Sequence, residues 1–229
     1  SSRGTFMNGN AAIHAAQHYG VHVTTTTISR RQHELAAQRI QAAGLNERVT
    51  LLLDDYRDLR GQYDKLVSIE MIEAIGHQYL DTYFRKVSDL LKDDGLALIQ
   101  AITIEDHRYE RALGDIDFIK RYIFPGSFIP SVGAMTGAIA RSSNLRLTHL
   151  EDIGPSYART LRAWHDRFLA ALPQVRAQGY SEAFIRMWRW YLAYCEGGFL
   201  ERSIGDVHLL LSKPGNRRPQ YLPDLQATL

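Results

Sequence analysis

The chain has 229 residues, a formal charge of +2 and one cysteine. Its length suits one large domain with room for an insertion, and its 45% hydrophobic content supplies a sizeable core. So small a positive charge gives no reason to expect a nucleic-acid partner, and a single cysteine excludes an internal disulfide framework.

Residues 1–10 are small, polar and without periodicity. Residues 1–6 read as a cloning leader ahead of a start methionine at Met7, and are set outside the fold. Ala11 to Tyr19 predicts a helix ended by Gly20, followed by a β-branched strand from Val21 to Thr27. Ser29 is a favourable N-cap for a helix over Arg30–Ala43. Val49–Leu53 and Lys65–Ile69 predict two further strands, with the polar run Asp54–Asp58 between them. A helix over Tyr79–Leu91 leads through a turn at Lys92–Gly95 to a strand at Leu96–Ile104. Strands alternating with helices of this length imply βαβ units and a parallel sheet.

Residues 105–144 interrupt that rhythm with two helical stretches around the loop Phe124–Pro130. A strand at Leu145–Leu150, long helices within 156–200 and a strand at Val207–Ser212 follow. Trp164, Phe168, Trp188 and Tyr191 fall on apolar helical stripes, as does Cys195, which reads as a buried core thiol. Residues 214–229 read as a loose tail. The expected organisation is a leader at 1–10, an α/β domain at 11–213 and a tail at 214–229.

Ligands of open α/β sheets bind beyond the carboxyl ends of the strands. The strand ending at Ile69 runs into Glu70 and Glu73 and reads as continuing into a helix, so this strand end is where chemistry is expected. A nucleotide-binding sheet ordinarily opens with a strand, a Gly-rich turn and a helix. Only Asn8-Gly9-Asn10 precedes the first helix, so that strand and turn read as missing.

Six stretches carry a resemblance to a known family. They are Thr25–Gln32, Asp54–Asp58, Glu70–Gly76 with Tyr79–Phe84, Phe124–Ser131, Tyr157–Trp164 and Tyr191–Phe199. In this order and spacing the chain resembles the S-adenosylmethionine-dependent cyclopropane fatty acid synthases, including the mycolic acid cyclopropane synthases. The resemblance implies a Rossmann-like class I methyltransferase sheet, here expected to lack its first strand, with a helical lid at about 105–144. It implies methyl or methylene transfer to an unsaturated acyl chain of a lipid. With one cysteine and no signal peptide or membrane-length apolar run, the expected location is the cytoplasm or the inner membrane surface.

By resemblance, Thr27 and Gln32 contact the ribose and amino-acid end of S-adenosylmethionine, and Asp55 and Tyr56 contact its adenine. Glu73 and Tyr157 match catalytic positions, with bicarbonate held near Glu73. Phe124, Phe128 and Ile129 would line a lipid trough. No metal and no nucleic acid are implied. Several positions depart from the pattern. Glu70 stands where most relatives carry a small residue, and is expected either exposed or crowding the cofactor. Gln100 and Ala74 stand where relatives carry histidines. Loss of the Gly-rich turn would weaken or abolish activity, and a missing central strand would favour a homo-oligomer or domain swap. Two other readings stay open: a methyltransferase for small molecules, and a non-catalytic lipid-binding or assembly module.

Overall fold

The computed structural model describes residues 3–6 and 9–219. Its centre is a seven-stranded sheet. The chain runs β1 (Arg3–Phe6), α1 (Gly9–Tyr19), β2 (His22–Thr26), α2 (Arg30–Ala42), β3 (Val49–Leu52), β4 (Tyr63–Ile69), α3 (Leu80–Asp89) and β5 (Leu91–Ile104). It continues through α4 (Asp106–Gly114), α5 (Val132–Ser142), β6 (Arg146–Asp152), α6 (Gly154–Ala170), α7 (Leu172–Ala177), α8 (Glu182–Leu200) and β7 (Ile204–Ser212). The strand order is β3-β2-β1-β4-β5-β7-β6. β7 alone is antiparallel, lying between β5 and β6. This is the doubly wound sheet that the resemblance implies.

One expectation is overturned. The first strand is present, because Arg3–Phe6 lies between β2 and β4 and pairs in parallel with both. The pairing satisfies backbone groups that a gap would have left buried and unmatched. With the gap closed, the argument for a domain swap or oligomer through it falls, and residues 3–6 belong to the domain. Residues 7–8, which follow β1 in sequence, lie outside the described residues, and the expectation about the Gly-rich turn falls on them.

Three buried clusters hold the layers together. Ala12, Ala16, Val23, Ile40 and Val49 pack α1 and α2 over β2 and β3. The main cluster sets α3 and α5 against β4, β5 and β7, with Tyr83 and Phe84 of α3 fully buried edge to face. Truncating a phenylalanine so placed costs about 3–5 kcal/mol. Because α5 buries Met135, Ala138 and Ile139 in this cluster, that half of the 105–144 insertion belongs to the main core. The third cluster joins α6 to α8 through Ala158, Leu161, Leu192 and Phe199.

Two local readings also change. The expected turn at Lys92–Gly95 is a bulge within β5, since the register steps from Tyr63↔Leu91 to Lys65↔Leu96. The chain after β7 is fastened to that bulge: Gly215 N donates to Asp93 O at 2.9 Å and Asn216 Nδ2 to Asp94 O at 2.5 Å. Thus the start of the expected tail is tied down, while residues 220–229 lie outside the described residues.

Candidate active site

Beyond the carboxyl ends of β2, β3 and β4 lies a cleft of about 670 Å³. Thr27, Gln32, Asp55 and Tyr56 all line it, together with Met71, Ala74 and Ile75. Local hydrogen bonds fix its walls. Thr26, buried at the end of β2, donates through Oγ1 to Asp54 O at 2.6 Å and ties the two strand ends together. Ser29 caps α2, and Thr27 Oγ1 donates to Gln32 Oε1 at 2.8 Å, linking strand end to helix start.

Asp55 caps the short 3-10 turn Tyr56–Asp58. Its carboxylate accepts from Arg57 N, Nε and Nη2, each at 2.9 Å. Those bonds to Arg57 hold the Asp55 carboxyl below its usual range. An ionised carboxylate has about four acceptor sites, so room remains for another donor. Tyr56 is half-buried and meets Tyr83 edge-on at 5.8 Å.

A second group of polar side chains lies past the end of β4. The segment after β4 does not continue as a helix. It makes one 3-10 turn over Ile72–Ala74, passes Gly76 at φ +89° and makes another over His77–Tyr79. Gly76 is needed at that left-handed position. The first turn sends Glu73 inward, where its Oε1 accepts from Ile102 N at 2.6 Å and its main-chain oxygen accepts from Phe128 N at 3.0 Å. Glu73 Oε2 is buried with no partner among the described residues.

Glu70 is neither exposed nor in the cleft. It is half-buried at φ +49°, accepting from Gln100 Nε2 at 2.9 Å and from Tyr157 Oη at 3.0 Å. Gln100 is a hub, since its Nε2 also donates to Asp206 Oδ2 at 2.8 Å and its Oε1 faces His208 Nε2 at 3.2 Å. Tyr157 reaches this point because Ile153 N donates to Asp206 O at 2.7 Å, seating the start of α6 on β7. The two expected catalytic residues therefore enter one cluster, although Tyr157 binds Glu70 and not Glu73.

Burial dominates the electrostatics here. It pushes Glu73 up to about 7, with the charge of Glu70 adding to it. It pushes Asp206 up to about 8, with Glu70, Glu73 and Asp152 contributing. Burial also raises Glu70, against the lowering effect of its bonds from Tyr157 and Gln100. Tyr157 is held above its ordinary range by burial and by Glu70. Asp206 was missed in the sequence. The available signal was an aspartate inside an apolar strand, which signals a paired or protonated acid.

The apolar side chains distribute unevenly. Phe128 is 4% exposed and belongs to the main core, so it cannot line a trough. Phe124 is exposed and meets Tyr191 edge-on at 6.1 Å, and Ile129 is half-buried. Trp164 is 44% exposed, whereas Phe168, Trp188, Tyr191 and Cys195 pack against the third cluster. Cys195 is half-buried, and burial pushes its thiol up to about 12, which leaves it unreactive.

The family model described as mycolic acid cyclopropane synthetase matches residues 8–209. The chain belongs to this family. It is 41% identical over 191 residues to a tuberculostearic acid methyltransferase of Mycobacterium tuberculosis, covering 83% of this chain and 44% of that protein. It is also 41% identical over 199 residues to the cyclopropane-fatty-acyl-phospholipid synthase of Escherichia coli, covering 86% of this chain and 48% of that one. The chain spans about half the length of the curated relatives it matches. Among solved structures, a cyclopropane synthase from Mycobacterium tuberculosis superposes with a TM-score of 0.84 at 22% identity, over 93% of this chain and 78% of that one. A mycolic acid cyclopropane synthase complexed with SAH and CTAB gives 0.84 at 25% identity over the same shares.

Proposed function

We propose that this chain carries the cofactor-binding and catalytic part of an enzyme that transfers a one-carbon unit from S-adenosylmethionine to an unsaturated acyl chain of a lipid. One observation carries the reading: the segment 70–75 forms a shared wall. Met71, Ala74 and Ile75 face the cleft, while Glu70 and Glu73 face the buried carboxylate cluster.

The cleft fits the cofactor. About 670 Å³ falls within the range of small-molecule sites, roughly 300–1,000 Å³. Tyr56 offers a half-buried ring for adenine, and Asp55 an acceptor for its amine. Thr27 and Gln32 offer a hydroxyl and an amide for the ribose and amino-acid end. When bound, the sulfonium supplies an electrophilic methyl carbon. The chain's own residues then orient the acceptor, exclude water and hold the proton released from it. Tyr191, Phe124 and Ile129 provide apolar surface for an acyl chain. No helix among the described residues is long and apolar enough to cross a membrane.

Incubation with S-adenosylmethionine and monounsaturated phospholipid vesicles should give a product heavier by one CH₂. Loss of the olefinic proton resonances would mark a ring, and their retention a methyl branch. Micromolar cofactor binding by calorimetry without any mass gain would sink the lipid reading. Absence of cofactor binding would sink the cofactor reading as well.

A further inference from the structure

The donors around Glu70 form a built site for a carboxylate. Tyr157 Oη reaches one oxygen at 3.0 Å and Gln100 Nε2 the other at 2.9 Å, from α6 and β5 respectively. The side chain is delivered there by a backbone at φ +49°, a conformation that residues other than glycine, asparagine and aspartate rarely adopt. Strained positions of this kind persist only where the surrounding structure enforces them, and they gather at functional sites.

The bicarbonate that the resemblance implies does not fit beside this arrangement. The single hydroxyl hydrogen of Tyr157 is used on Glu70. Both hydrogens of Gln100 Nε2 are used, on Glu70 and on Asp206. The Ile102 N–H is used on Glu73. A free anion would therefore find these donors occupied, with the carboxyl groups of Glu70, Glu73 and Asp206 close by.

We infer that Glu70 takes the place of an exchangeable anion in this chain, and that its carboxylate is the proton acceptor of the reaction. The inference rests on the proposed one-carbon transfer to an alkene. Transfer of the methyl carbon to one alkene carbon leaves its neighbour cationic. A C–H of the added carbon then gives its proton to a Glu70 oxygen. The C–H electron pair becomes the C–C bond that closes the ring, the charge on the lipid is cancelled, and Glu70 becomes a neutral acid. Water takes that proton after the product leaves.

The neighbours explain why Glu70 serves and the other acids do not. Asp206 is 0% exposed and the unpartnered oxygen of Glu73 is buried, whereas Glu70 is half-buried. Burial raises all three acids, and only Glu70 has a donor on each oxygen, from Tyr157 and Gln100, to favour its anionic form. Tyr191 of α8 and His208 of β7 complete the polar surroundings.

Glu70→Gly suits the left-handed backbone and empties the cradle. Its turnover on monounsaturated phospholipid vesicles should fall about a hundredfold or more, the usual worth of a positioned base, with cofactor affinity unchanged by calorimetry. Formate or bicarbonate should restore part of that turnover in the variant and leave the wild type unaffected. Independently of turnover, formate should raise the Tm of the ligand-free variant but not of the wild type. Glu70→Gln, which keeps the volume, should lose turnover without rescue and serves if the glycine variant does not fold. Turnover within about threefold of wild type, or a wild type that needs added bicarbonate, would overturn the inference. If the wild type shows no turnover at all, the Proposed function fails, and the formate effect on Tm alone decides the cradle: its absence overturns it.

Discussion

Replacing Asp206 by asparagine should change how stability depends on pH. In the folded chain Asp206 is pushed from its ordinary 3.8 to about 8, chiefly by burial and then by the charge of Glu70. Between about pH 5.5 and 7.5 the folded state therefore keeps a proton that the unfolded state has lost. Stability then falls as pH rises, by about 1.4 kcal/mol per pH unit for one proton, or about 2.7 kcal/mol over the interval. Glu73, raised to about 7, adds to the fall in the lower part of the interval. Asparagine cannot ionise, yet it can still accept the bond that Asp206 Oδ2 takes from Gln100 at 2.8 Å. Urea unfolding at about pH 5.5, 6.5 and 7.5 should show the wild type losing stability steadily and Asp206→Asn losing much less. The absolute stability of the variant is not the readout, because its new amide takes the place of Oδ1, which lacks a partner. A wild type whose stability stays level or rises over the interval would refute the burial argument, as would a variant with an unchanged slope.

Three other outcomes are expected. Thr5→Pro removes an N–H from β1, which pairs on both sides, and should cost on the order of 3 kcal/mol by urea unfolding. Glu73→Leu leaves Ile102 N without its acceptor and should cost about 1–3 kcal/mol, whereas Glu73→Gln keeps an acceptor and should stay within about 1 kcal/mol of wild type at acid pH. Tyr56→Ala removes the ring proposed to stack on adenine and should weaken S-adenosylmethionine binding about tenfold by calorimetry.

The alternation from β2 to β5 was legible because β-branched strands and capped helices announce themselves locally. Ser29 before Arg30 is one such signal, and the structure uses it as the cap of α2. The strand at Arg3–Phe6 was illegible because Arg-Gly-Thr-Phe has no apolar run, and its pairing comes entirely from β2 and β4. The cleft residues Thr27, Gln32, Asp55 and Tyr56 could be named from the resemblance, and the fold gathers them along one wall. The burial and bonding of Glu70 could not be read. Its partners Gln100 and Tyr157 lie 30 and 87 residues away, and Asp206 joins Gln100 over a separation of 106. The first closes when β4 pairs with β5, and the other two only when β7 brings Asp206 and the seat of α6. Phe128, expected in a lipid trough, is core, and Trp164, on a helical stripe expected to supply core and acyl-channel lining, is 44% exposed.

The position of β7 has a consequence for how the protein is made. It is the last strand among the described residues, yet it separates β5 from β6 and supplies Asp206 and the seat of α6. Contacts of such high sequence separation form late and slowly. A nascent chain would have to clear the ribosome through Ser212 before the polar cluster could close. Until then Glu70 lacks the burial that Asp206 and Tyr157 provide. Completion of the sheet would thus weaken both Glu70 and Glu73 as acids, so a half-folded chain would hold the cleft beyond β2, β3 and β4 without the buried carboxylate cluster beside it.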